Sequence, residues 1–122
     1  MKVLFVQSKP ALATALQLTF LRQGYEVIFC KNAFEAVENI IMHSPKLVVV
    51  DIMTSSIGLE FVSSIKKYNL PIIVLSAFGY EDQLQKAFEL GADDYVNHPY
   101  SMNELTLRVN LLMKKSKGFG IG

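Results

Sequence analysis

Five times along this chain, a short run rich in β-branched or aromatic residues gives way to a longer stretch whose apolar residues recur at helical spacing. The short runs are Val3-Leu4-Phe5-Val6, Val27-Ile28-Phe29, Leu47-Val48-Val49-Val50, Ile72-Ile73-Val74-Leu75 and Tyr95-Val96. Those at 47–50 and 72–75 are apolar without a break. Such strands have no polar face to turn to water, so they belong in a parallel sheet covered on both sides. The stretches between carry Leu12, Leu16, Phe20; Ala33, Val37, Ile40, Ile41; Phe61, Val62, Ile65; Leu84, Ala87, Phe88; and Leu105, Val109, Leu112, each a single helical stripe. Strand and helix alternating over short connections imply right-handed crossovers and a parallel sheet. Five units predict a three-layer α/β sandwich.

The punctuation agrees with that pattern. Gly24 and Gly91 follow apolar periodic runs, where helices stop. Ser44-Pro45 ends the second helix, because the residue before proline is pushed out of the α region. Ser101-Met102-Asn103-Glu104 is a capping box that opens the last helix. At 122 residues the chain is one domain with one folded unit, assigned to residues 1–115. Residues 116–122 turn abruptly to Lys and Gly and read as a tail or linker.

Charge and cysteine content exclude several function classes. Lys plus Arg number 12 and Asp plus Glu 11, without the basic excess of a nucleic-acid-binding surface. The lone Cys30 permits no disulfide within the chain and makes no zinc site by itself; at the end of the second strand it reads as a small core residue. The apolar runs fall far short of the ~20 residues that cross a bilayer. Met1-Lys2 leads straight into the first strand with no signal-peptide plan. A soluble cytoplasmic domain with no membrane partner is expected.

Ligands of open parallel sheets bind beyond the carboxyl ends of the strands. The residues there are Gln7 and Ser8, Asp51, Ser76 and Ala77, and Asn97, His98 and Pro99. Asp51 emerges from an apolar run; it is either a strand-ending carboxylate that caps the next loop or pairs with Lys9, or a nucleophile or metal ligand.

The segments Lys2-Val3-Leu4-Phe5-Val6, Gly24-Tyr25-Glu26-Val27, Leu47-Val48-Val49-Val50-Asp51-Ile52-Met53, Pro71-Ile72-Ile73-Val74-Leu75-Ser76-Ala77 and Gly91-Ala92-Asp93-Asp94-Tyr95-Val96 together resemble the receiver domain of two-component response regulators, from Lys2 to about Lys115. With Glu104-Leu105 and Arg108, the resemblance is closest to the OmpR/PhoB type, which carries a winged-helix DNA-binding domain after the receiver. It implies a flavodoxin-like (βα)5 fold with sheet order 2-1-3-4-5. It also implies that Asp51 stands at the phosphoacceptor position, that the Met53 carbonyl would join a magnesium shell, and that Ser76 and Tyr95 are the switch residues.

Three matches fail. The two acidic positions that hold magnesium are Gln7 and Ser8, the lysine position is His98, and the turn after the acceptor is Thr54-Ser55-Ser56-Ile57, without its proline. Mg²⁺ favours carboxylates, and an imidazole does not replace a permanent ammonium at a phosphoryl oxygen. Phosphoryl transfer rests on positioning and charge stabilisation, so the expected reading is a receiver that works without phosphorylation, with weak or absent Mg²⁺ binding and no other cofactor. The alternative is a working phosphoacceptor modified on Asp51 by a histidine kinase. A flavodoxin-like nucleotide or flavin binder ranks last, since Gln7-Ser8-Lys9-Pro10 is short and Pro10 removes a donor.

The resemblance also implies a homodimer through the fourth helix, fifth strand and fifth helix. Asp94 and Arg108 match one charge pair of that face; Glu104 matches another, whose cationic position is Leu84 here, leaving Lys86 or another base to serve. Leu84, Phe88 and Leu107 would form an apolar centre. The plainer reading of Asp93, Asp94, Glu104 and Arg108 is ordinary surface charge. His98 precedes Pro99, a cis-proline position of the family, which favours a structural role over pH sensing. DNA would be met only through a further C-terminal domain.

Overall fold

The computed structural model describes residues 1–53, 58–77 and 81–116. The expected turn at 54–57 and the tail at 117–122 lie outside the described residues. The elements run β1 (Lys2–Val6), α1 (Pro10–Arg22), β2 (Glu26–Cys30), α2 (Ala33–His43), β3 (Leu47–Asp51), α3 (Glu60–Ile65) with a 3₁₀ turn at Lys66–Tyr68, β4 (Ile72–Ala77), α4 (Glu81–Glu89), β5 (Asp94–His98) and α5 (Met102–Ser116). The sheet order is β2-β1-β3-β4-β5, and every neighbouring pair is parallel. This is the flavodoxin-like α/β sandwich. Each expected helix forms, although the third is shorter than its neighbours, and α5 extends through Ser116.

The unbroken apolar run at 47–50 follows from its position. All five residues of β3 are buried. Val48 and Val50 join Leu4, Val6, Ile72 and Val74 against α2, α3 and α4. Leu47 and Val49 join Val3, Phe5, Ile73 and Leu75 against α1 and α5. In that second layer Phe5 and Phe20 meet edge to face with ring centroids 5.3 Å apart, an arrangement aromatic quadrupoles favour.

The helix ends follow the expected punctuation, with one difference in kind. Gly24 and Gly91 take φ of +89° and +115°, values an L side chain rarely adopts. Ser44 also ends its helix, but at φ 49° and ψ 57° while its N–H still bonds Ile40 O. The clash with Pro45 excludes only the right-handed region, and Ser44 escapes into the left-handed one rather than into an extended conformation. At α5 the Ser101 hydroxyl accepts from the Glu104 N–H at 2.9 Å, half of the capping box.

Candidate functional site

The register brings the candidate residues to one edge. Val6 pairs with Val50, Asp51 with Leu75, and Ser76 with Asn97 and Ala77 with His98. Gln7, Asp51, Ser76 and His98 therefore end adjacent strands at the carboxyl edge of the sheet. Gln7, Asp51 and Ser76 are 4 %, 1 % and 1 % exposed. This burial follows from the interior position of β1, β3 and β4 in the sheet.

Asp51 Oδ1 accepts from the Met53 N–H at 2.9 Å and lies 3.3 Å from His98 Nε2. The carboxylate thus caps its own loop, as one of the expected readings held, and the histidine at the lysine position touches it directly. The peptide bond between His98 and Pro99 is cis. Gln7 turns its Oε1 to the Lys9 N–H at 2.7 Å. The Ser76 hydroxyl donates to Gln83 Oε1 on α4 at 2.9 Å. Tyr95 packs against the cluster under α2, α3 and α4, and its buried hydroxyl has no hydrogen-bond partner among the described residues.

Two members of the site carried no signal in the sequence. Tyr100 stands edge-on to His98 with centroids 4.9 Å apart. Burial first, and the Asp51 charge second, push its phenol up to about 12. Gln83 is one polar residue of a surface helix until the fold sets it against Ser76.

The residues expected to stitch a dimer are placed on α4, β5 and α5, with Asp93 in the connection just before β5, but most of their charges already have partners within the chain. Arg108 reaches Asp94 at 3.2 Å. Asp93 bonds Lys66 at 2.9 Å and accepts from the Ile72 N–H at 2.8 Å, which makes it a clamp at the opposite edge of the sheet from Asp51. Lys86, suggested as a partner for Glu104, instead reaches Glu60 at 3.1 Å. Leu84 and Phe88 are exposed four residues apart on α4, and Leu107 is exposed on α5. Among the described residues, no helix is long and apolar enough to cross a membrane.

A profile of the response regulator receiver domain matches residues 3–110. The chain is 33 % identical over 119 residues to the alkaline phosphatase synthesis transcriptional regulatory protein PhoP of Bacillus subtilis, covering 95 % of this chain and 50 % of that protein. It therefore spans about half the length of that curated relative. Among solved structures it superimposes on the Francisella response regulator 1452 receiver domain with a TM-score of 0.84 at 28 % identity, covering 94 % of this chain and 98 % of that one. A two-component response regulator from Clostridium difficile, at 19 % identity and a TM-score of 0.87 over 95 % and 98 % of the two chains, shares the fold.

Proposed function

We propose, since the chain belongs to the response regulator receiver family, that it is a receiver whose output does not depend on phosphorylation of Asp51, acting as a dimerisation and regulatory module of a transcriptional regulator. The observation that carries this reading is the surroundings of Asp51. An amide and a hydroxyl, Gln7 and Ser8, stand where two acids are needed. His98 Nε2, 3.3 Å from the carboxylate, stands where the ammonium would be.

Charge explains why this matters. A phosphoryl group in transit spreads negative charge over its oxygens, and metal ions and a lysine neutralise it. Mg²⁺ demands near-octahedral oxygen ligation, usually with one or two carboxylates. Asp51 is the sole carboxylate that the family's metal positions retain, and the Oε1 of Gln7 is already given to the Lys9 N–H. The donor set does not fit the ion. What the residues can do is hold still: Asp51 closes its loop through Met53, and the Ser76–Gln83 bond ties β4 to α4. A switch residue bonded to α4 supports a receiver held in one arrangement.

That arrangement would be read out by a second copy through α4, β5 and α5. Because Asp94, Asp93 and Lys86 have intrachain partners, Leu84, Phe88 and Leu107 supply the association. Exposed ion pairs contribute only ~0.2–1 kcal/mol each. A role in transcription is supported by the name of the Bacillus relative, a transcriptional regulatory protein, and DNA would be met only through a further C-terminal domain.

A working phosphoacceptor is the second reading, favoured by Asp51 and Ser76 standing side by side at the expected positions, each 1 % exposed. Acetyl phosphate with millimolar Mg²⁺ separates the two. The expected result is a single unshifted band on a phosphate-affinity gel; stoichiometric modification that disappears in Asp51→Ala would establish the second reading.

A further inference from the structure

We propose that the hollow between the β1–α1 connection and the end of β2 binds a small carboxylate carried on a flat apolar body. The inference goes beyond the proposed function and stands whether or not Asp51 is phosphorylated. The hollow has a volume of about 250 Å³. That is just under the ~300–1,000 Å³ of drug-sized pockets and equals about eight water volumes of ~30 Å³, room for a ligand of roughly ten heavy atoms.

Its walls are apolar: Ala13 of α1 on one side, Phe29 and Cys30 of β2 on the other. Cys30 adds no charge there, because burial, then Glu35, push its thiol up to about 12. The polar grip comes from Gln7, which lines the hollow and is 4 % exposed. Its Oε1 is taken by Lys9, and its Nε2 donates to no partner among the described residues. With its oxygen committed to Lys9, the Gln7 amide has its NH2 left to offer, a donor from which a ligand oxygen could accept.

The sign of the ligand follows from the charged residues that line the hollow, Lys9 and Lys31 against a single acid, Glu35. That acid already accepts from the Lys31 N–H at 2.9 Å. Two lysines against one carboxylate leave the lining with a net positive charge, which favours an anion over a neutral ligand. Gln7 also links this hollow to the neighbouring site. Its N–H bonds Cys30 O at 3.0 Å, and it follows Val6, the strand partner of Val50 next to Asp51. A ligand held by the Gln7 amide would act on the strand end beside the phosphoacceptor position.

The test is an amide-resolved NMR titration of the whole ¹⁵N-labelled chain with sodium benzoate, with sodium chloride matching ionic strength. Saturable shifts should cluster on Gln7, Ala13, Phe29, Cys30 and Lys31, with a dissociation constant on the order of a millimolar. Benzyl alcohol, of the same shape without the charge, should bind ~tenfold more weakly. Ala13→Phe fills the hollow from a half-buried helical position and should abolish the shifts; Lys31→Glu removes the net positive charge of the lining and should weaken binding ~tenfold. Should Ala13→Phe fail to fold, Lys31→Glu alone decides. Shifts that never saturate or scatter over the surface would overturn the proposal. So would benzyl alcohol binding as tightly as benzoate, or unweakened binding in Lys31→Glu or in a folded Ala13→Phe.

Discussion

Removing the Asp51 carboxylate should destabilise this protein, and the sign of that effect separates its site from one built of clustered acids. Where several carboxylates crowd together, neutralising one relieves repulsion between like charges, and the protein gains stability. Here the flanking Gln7 and Ser8 are neutral, and Asp51 instead makes attractive contacts to the Met53 N–H at 2.9 Å and His98 Nε2 at 3.3 Å. Asp51→Ala strands a part-buried backbone donor, which costs about 1–2 kcal/mol, and removes a contact from His98 worth up to about 1 kcal/mol more. The expected loss is about 1–3 kcal/mol, or about 4–12 °C in Tm for a chain of this length. Asp51→Asn keeps the Oδ1 acceptor and should lose less than about 1 kcal/mol. Urea melts followed by circular dichroism, with the m-value shared across variants, measure both. An Asp51→Ala protein that melts above wild type, or an Asn variant as unstable as the Ala variant, would refute the reasoning.

Thermal melts with and without ~10 mM Mg²⁺ should coincide, since a ligand stabilises only in proportion to the logarithm of its occupancy; an upward shift abolished by Asp51→Asn would count against the reading of the pocket. Phe88→Asp should weaken self-association in sedimentation equilibrium more than Arg108→Ala does. The first puts a charge into a dry contact, whereas the second breaks a pair that Asp94 already forms within the chain. Tyr100 titrates at about 12 in the folded chain and near 10 when unfolded, so its contribution to stability is whole below pH 10 and is lost as pH rises through about 12. Chemical denaturation at pH 9 and pH 12 should show wild type losing measurably more stability than Tyr100→Phe over that interval, and equal losses would mean that the phenol is not desolvated.

The repeated alternation of apolar strands and helical stripes determined the architecture by itself, because a run such as Leu47 to Val50 can be buried on both faces only inside a covered parallel sheet. The helix stops at Gly24, Ser44 and Gly91 were legible for the same kind of local reason, although which way Ser44 would turn was not, since the clash with Pro45 forbids one region and leaves two. Gln7, Ser8, Asp51, Ser76 and His98 could be placed at one sheet edge because strand ends converge there in any such fold. Their contacts could not. That Asp51 meets His98, that Ser76 meets Gln83, and that Tyr100 shields the imidazole depend on residues 47, 7 and 2 positions apart in the chain. The two longer-range contacts form only when β3, β4, β5 and α4 pack side by side. The charged residues on and around α4, β5 and α5 show the same division: their resemblance to the family suggested pairs between two molecules, whereas Lys66, Glu60 and Asp94 lie near enough in the folded chain to satisfy Asp93, Lys86 and Arg108 within one. A charge takes the partner that costs the least ordering to reach, and only the tertiary structure decides which partner that is.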